Sequence, residues 1–207
     1  MLELGTQLRT LFGTQRPVFL AASTREGEEA LLLDALQHVD IEDLLVVIVP
    51  RHPQRFEEVA ALIEQRGLRA QRRSANAPVA ADTQVVLGDS MGELFAYYAA
   101  CDISFIGGSL LPFGGHNLIE AWSVGKPVLI GPHTYNFAQA TELAVASGAA
   151  LQVSHADVLA QQLNILLPDA SRLKQMGQAG LHFVNNNQGA TEQALKLIAL
   201  ALQQRLA

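Results

Sequence analysis

The sequence predicts an α/β fold, a parallel sheet flanked by helices and closed by a helical C-terminus. Three observations carry that expectation. Short apolar runs alternate with helical stripes along most of the chain, the rhythm of parallel strands joined by right-handed crossovers. The run LLVVIV at 44–49 has no polar position at all, the mark of a strand covered on both faces. A length of 207 residues fits one domain, two at most, and 49% hydrophobic against 16% charged residues excludes disorder.

The elements follow in order. PVFLAA at 17–22 is an apolar run after a proline, a buried strand. Residues 26–38 form a helix with Leu31, Leu32, Ala35, Leu36 and Val39 on one stripe. Strand 44–49 leads to Pro53 in a helix first turn, and that helix runs to about 66 before Gly67. Residues 68–73 make a weaker strand, and 83–87 another that ends in Gly88-Asp89-Ser90. Helix 92–100, strand 102–106, a Gly-rich loop over 107–115, helix 116–124, strand 127–130 and helix 136–147 come next. Residues 150–153 fit a last strand, and helices over 155–167, 169–184 and 188–206 close the chain. Ligands of such sheets bind beyond the carboxyl ends of the strands. The loops of interest are therefore 22–28, 50–55, 88–92, 107–116 and 131–137.

Composition narrows the function. Lys plus Arg is 14 and Asp plus Glu is 20, a formal net charge of −6. That balance argues against a nucleic-acid partner, whose phosphates want a surplus of bases. A single cysteine, Cys101, allows no intrachain disulfide and no cysteine-based metal site. His38, His155 and His182 lie in or beside polar helical segments and read as surface residues. Scattered histidines without carboxylates at ligand spacing predict no metal. No apolar run approaches the roughly 20 residues of a bilayer span, and the N-terminus lacks a signal-peptide core.

The segment FIGGSLLPFGGHNLIEAWSVGKPVLIGPHTYNF, 105–137, carries the strongest chemistry. Gly107 and Gly108 end a strand, followed by Ser109; Gly114 and Gly115 precede a helix. Glycines there let backbone N–H groups approach an anion at the positive end of a helix. His116 and Asn117 at the helix start can donate to phosphate oxygens. Glu120 stands one turn further on the same side, where a carboxylate suits the two hydroxyls of a ribose. A tight turn followed by ordinary helix surface is the plainer reading. No Gly-Lys-Ser/Thr follows the glycines, so a Walker P-loop is excluded, and the dinucleotide Gly-x-Gly-x-x-Gly spacing fails.

Other segments are open to two readings. Ser23-Thr24 with Glu28-Glu29 either faces a ligand or is a helix cap with an acidic first turn. Arg51 and Arg55, beside His52, either pair with a ligand carboxylate or phosphate or sit at a solvated helix start. His133, Tyr135 and Asn136 either face a sugar or follow a rigid turn at Pro132.

Taken together, these motifs closely resemble the donor-nucleotide domain of GT-B glycosyltransferases, in particular the 3-deoxy-D-manno-octulosonic acid (Kdo) transferases. The matching stretches are Gly107–Ser109, Gly114–Asn117, Glu120, Gly125–Val128 and Gly131–Phe137. Upstream, ASTREGEE at 22–29, PRHPQRF at 50–56 and GDSMGEL at 88–94 extend the likeness. Arg25 stands where the family pattern has His, and Phe113 where a basic residue is common. The resemblance covers about 17–150, and more weakly the rest.

The resemblance implies a Rossmann-like domain over 17–187, the C-terminal half of a two-domain enzyme, with 1–16 a linker remnant and 188–207 a C-terminal helix. It implies transfer of Kdo from CMP-Kdo to a lipid A precursor, with inversion and no further cofactor, in lipopolysaccharide synthesis at the cytoplasmic face of the bacterial inner membrane. The base and the acceptor site would belong to an N-terminal domain, so this chain alone would be inactive. In this pattern the base of the nucleotide packs on Gly88–Gly92, with Met91 as its apolar face beside Gly92. The implied donor-binding set is Ser23, Arg51, Met91, Gly92, Gly107, Gly108, Ser109, Gly114, Gly115, His116, Asn117 and Glu120. A GT-B enzyme using a UDP-sugar, a UDP-sugar epimerase, or a non-enzymatic α/β module for a phosphorylated ligand are the alternatives. A receiver-like switch needs an acidic cluster, yet the strand ends carry Ser23, Arg51, Asp89 and Gly107, one acid only. The all-apolar run at 197–202 and the Leu4/Leu8/Leu11/Phe12 stripe are expected to fold back on the domain or to pair in a weak homodimer.

Overall fold

Strands β1 (Val18–Thr24), β2 (Leu45–Pro50), β3 (Ala70–Arg72), β4 (Val85–Leu87), β5 (Ile103–Ile106), β6 (Val128–Ile130) and β7 (Ala150–Gln152) form one sheet in a computed structural model that describes residues 1–187. Their order is β3-β4-β2-β1-β5-β6-β7, and every pairing is parallel. The helices are α1 (Leu2–Phe12), α2 (Glu28–Leu36), α3 (Phe56–Gln65), α4 (Leu94–Ala100), α5 (Ile119–Ser123), α6 (Ala138–Ala146), α7 (Ala156–Leu166) and α8 (Ala170–Asn187).

All seven residues of β1 are buried because the period-2 pleat feeds two cores. Val18, Leu20 and Ala22 face Val47, Tyr97 and Trp122 on one side. Phe19 and Ala21 face Ile48, Leu32, Ile63 and Leu159 on the other. Fully burying each such Val, Leu, Ile or Phe stabilises by roughly 1.5–3 kcal/mol, an upper estimate since the unfolded chain is already partly compact. Trp122 is fully buried and donates its indole N–H to the Ala149 carbonyl at 3.3 Å. Its ring meets Phe183 of α8 edge-on at 5.1 Å.

The chain builds β2 to β4 on one side of β1 and then crosses to lay β5 on the other. A crevice therefore opens between the carboxyl ends of β1 and β5, the switch point where such sheets hold ligands. The Gly107 N–H continues the ladder to the Ala22 carbonyl at 2.8 Å. A side chain at Gly107 would fall on the Ser23 carbonyl.

Two elements differ from the sequence reading. Residues 116–124 are not one helix: α5 begins only at Ile119, because Gly114 and Gly115 hold φ of 92° and 75° and turn the chain outside helical space. The helix expected from Pro53 starts as a 3-10 turn, Pro53–Arg55, before α3. Residues 1–16, read as a linker remnant, contain α1, which lies on α4. Gly5 permits the contact, since a Cβ there would be 2.5 Å from that of Ala99. Leu8 and Phe12 are buried in the domain core, and Arg9 pairs with Asp102 at 3.0 Å. The helix expected over 188–206, with its apolar run, lies outside the described residues. Among the described residues, no helix is long and apolar enough to cross a membrane.

Candidate functional site

The carboxyl ends of β1 and β5 are joined by a buried carboxylate. Glu28, at the first position of α2, is fully buried and accepts four main-chain N–H bonds. Oε2 takes those of Arg25 (2.8 Å) and Gly108 (2.6 Å), and Oε1 those of Ser109 (3.0 Å) and Leu110 (2.9 Å). Burial pushes the Glu28 pKa above its ordinary value although the four N–H donors pull it down. Four donors on two oxygens match the acceptor-only, ionised form.

This corrects the expected phosphate cradle. The N–H groups of Gly108 and Ser109 serve Glu28, not a ligand, and that of Gly107 serves Ala22. Ser109 is also fully buried; its hydroxyl donates to the Ile106 carbonyl and accepts from the Gly131 N–H. The Gly115 N–H bonds the Gly108 carbonyl at 2.6 Å. These residues shape the crevice floor, and Ser109 is a structural staple. The N–H groups of Gly114, His116 and Asn117 have no partner among the described residues.

His116 is the focus of the crevice. Its Nε2 is buried and has no hydrogen-bond partner. The ring stands against Gly108, where a Cβ would be 3.1 Å from Nε2. Burial, then the positive fields of Arg51, Arg25 and His52, hold its pKa down to about 4. A neutral imidazole with an orphaned nitrogen among three bases lacks what an anion would supply. Arg25 is fixed over the Phe113 ring at 4.5 Å. Arg51 is exposed and is anchored through its N–H to the Thr24 carbonyl at 3.0 Å. Ser23 is buried at the end of β1 with φ of 55°, a left-handed conformation that costs a non-glycine on the order of 1–3 kcal/mol and clusters at functional sites.

Asn117 and Glu120 act together. The Asn117 Oδ1 accepts the Ile119 N–H at 3.0 Å, an Asx turn that starts α5. Its Nδ2 donates to Glu120 Oε1 at 3.3 Å. Glu120 is thus oriented by Asn117, not by a shared helix face with His116, which precedes the helix. In the 88–92 loop, Asp89 is bonded to Ser74 and Ser90 to Glu93 and Tyr97. Met91 is left 62% exposed beside the open, left-handed Gly92.

The remaining candidates are braces. Arg55 bonds Glu29 (2.7 Å) and Glu58 (2.8 Å), and the Thr24 hydroxyl also donates to Glu29 (2.7 Å). Tyr135 donates to the Pro112 carbonyl and Asn136 to that of Phe113, so loop 131–137 props loop 110–115. Gly114 has no room for a side chain against Asn136. A cavity of about 570 Å³ lined by Arg16, Asp43, Leu44 and Arg69 opens at the opposite, amino ends of the strands, away from the crevice. Among the described residues no group of three or more His, Cys, Asp or Glu could hold a metal ion.

Of the residues singled out in the sequence, the structure brings Arg51 within electrostatic reach of His116, sets Ser23 at the end of β1 and joins Glu120 to Asn117. Sequence logic missed Arg25 as part of the cluster and Glu28 as its support. Glu28 stands in an acidic pair after a strand, within the stretch ASTREGEE, but an ordinary helix start shows the same acids.

The family model of Glycosyl transferases group 1 matches residues 17–183. The 3-deoxy-D-manno-octulosonic acid transferase of Bordetella pertussis is 41% identical over 88% of this chain and 44% of its own length. That of Haemophilus influenzae is 39% identical over 96% of this chain and 47% of its own length. The chain therefore spans about half the length of these curated relatives. The solved C-terminal CMP-Kdo binding domain of WaaA from Acinetobacter baumannii superposes with a TM-score of 0.79 at 33% identity, over 87% of this chain and 97% of that one. Anabaena Alr3699/HepE, solved with UDP and glucose, shares the fold alone, with a TM-score of 0.69 at 18% identity over 97% of this chain and 52% of that one. With its parallel sheet, its switch-point crevice and these relatives, the chain belongs to the glycosyl transferases group 1 family, as a GT-B C-terminal domain of the 3-deoxy-D-manno-octulosonic acid transferase type.

Proposed function

We propose that this domain binds CMP-Kdo as the donor half of a Kdo transferase. The observation that carries the reading is the orphaned Nε2 of His116 among Arg25, Arg51 and His52 at the switch point. CMP-Kdo brings two anions close together, a phosphate and the sugar carboxylate. Charge-assisted bonds from guanidinium groups suit both. Glu120, held by Asn117, takes the ribose hydroxyls, and Met91 offers an apolar face to the base beside Gly92. Donor binding and orientation are what these residues do; donor binding alone stabilises the ground state and not the transition state. The acceptor is a lipid A precursor and the general base a carboxylate, both supplied outside this chain, with the whole enzyme working at the cytoplasmic face of the inner membrane. No additional cofactor is part of the reading. A weak homodimer through the terminal segments belongs to it too, although Leu8 and Phe12 already have cover in their own domain.

Calorimetric titration of the 207-residue chain with CMP, UMP and UDP tests this. Binding of CMP in clear preference to UMP and UDP is expected, without turnover of CMP-Kdo by the chain alone. Preference for UDP would transfer the domain to a UDP-sugar enzyme.

A further inference from the structure

Glu28 is a fully buried carboxylate whose hydrogen bonds all come from main-chain N–H groups, none from a side chain of the positive cluster. It sits behind the crevice floor, and it collects the N–H groups of three consecutive residues after β5 together with that of Arg25. Three successive N–H groups converging on one point form a nest of the kind that binds phosphate. Here the nest is already filled by a carboxylate of the chain itself.

We infer that Glu28 is a positioning residue, an internal anion that fills the main-chain nest after β5, holds Gly108 beneath His116, and leaves the ligand's phosphate to the His116, Arg25 and Arg51 cluster. The inference rests on the donor-binding reading. Both ends of the Glu28 bridge matter to that cluster. Oε2 bonds the N–H of Arg25 and that of Gly108, the residue against which the His116 ring packs. One carboxylate oxygen thus sets the separation between the Arg25 backbone and the floor under His116. The raised Glu28 pKa has the same geometric origin, a charge withdrawn from water and compensated only by main-chain donors.

The test compares CMP affinity of the 207-residue chain as wild type, Glu28→Gln and Glu28→Ala, each with and without millimolar formate. Glu28→Gln keeps the shape but turns an amide N–H₂ toward N–H donors, so CMP affinity is expected to fall by about tenfold or more, the scale of a lost charge-assisted contact. Glu28→Ala is expected to lose at least as much and to recover part of it in formate, which refills the nest; wild type is expected not to respond to formate. A role in packing alone predicts that Glu28→Gln binds like wild type and that formate does nothing, and either result in folded protein overturns the inference. If Glu28→Ala does not fold, Glu28→Gln decides. If neither folds, the residue is a purely structural group and the positioning role fails. Absence of CMP binding by wild type would instead bring down the donor reading, and this inference with it.

Discussion

The guanidinium of Arg25 lies 4.5 Å over the ring of Phe113, which holds one of the positive charges that act on His116. The ring keeps that charge at the rim of the crevice. A cation–π pair at an accessible site is worth about 0.5–1 kcal/mol. Phe113→Ala is therefore expected to weaken CMP binding by roughly two- to fivefold, and Arg25→Ala, which removes the charge itself, by about tenfold or more. Titration calorimetry at low and high salt checks both, with the Arg25→Ala deficit shrinking as salt screens the cluster.

Glu120→Ala is expected to lower CMP affinity by about ten- to a hundredfold, the range for a charge-assisted bond to a bound ligand. Asn117→Ala should produce a smaller loss in the same assay, because it frees the Glu120 carboxylate from its 3.3 Å bond without deleting it. An affinity for CMP unchanged by Glu120→Ala would remove the ribose assignment.

The His116 ring makes stability sensitive to mild acid. Its folded pKa is about 4 against an ordinary 6.5. Between those values the unfolded chain binds the proton and the folded one does not, so stability falls as pH drops from about 6.5 toward 4 and this contribution is constant below. Asp34, Glu57 and Glu58 are held low by Arg66, Arg72 and Arg55, and lose their contributions only as pH falls through their ordinary 3.8 and 4.5 and below. From about pH 7 to about pH 5 the raised Glu28 contributes with the opposite sign, stability from it being lost as pH rises, so the His116 part is read as the difference between wild type and His116→Gln under denaturant unfolding, and the variant is expected to lessen the fall in stability toward acid.

Two glycine substitutions should separate close approach from backbone conformation. Gly107→Ala sets a methyl group on the Ser23 carbonyl, a main-chain atom that cannot step aside, and is expected to cost several kcal/mol or to abolish folding, on the scale of about 4–5 kcal/mol that marks core disruption. Gly92→Ala meets nothing within 4 Å but sits at φ 78°, so a loss of about 1–2 kcal/mol is expected. Thermal unfolding of the two variants side by side provides the comparison.

Cys101 is buried and its thiol is pushed up to about 12, chiefly by burial. The thiolate is the reactive form, so the native chain is expected to resist alkylation at neutral pH and to react once unfolded. Mass spectrometry of the alkylated protein with and without denaturant distinguishes the two.

The inner strands were legible because their burial on both faces is written as apolar runs, as at 44–49, whereas the edge strands β3 and β7 carry polar, partly exposed residues and left a weaker signal; the helices were legible because their stripes follow one face. The limits of α5 were not, because a helix-like composition from His116 onward says nothing of the positive φ that Gly114 and Gly115 adopt. The same blindness hid the occupant of the N–H nest. Glycines after a strand announce that main-chain donors converge, but which anion they converge on depends on a residue some 80 positions earlier, Glu28, brought there by the β1–β5 pairing. Arg25 was passed over for a related reason: its place beside His116 comes from the crevice, not from any spacing between 25 and 116.

The crevice floor, finally, constrains how such a domain can diversify. Where Gly107 meets Ser23 the surface is main chain against main chain, and no exchange of side chains can alter its chemistry without breaking the sheet. Variation is confined to the rim, where Arg25, Arg51, Met91 and Phe113 project from separate loops. A change of ligand preference along this lineage would thus be expected to travel through a few independent rim positions while the floor stays silent, so that new specificities arise by small, separable steps on an unchanging chassis.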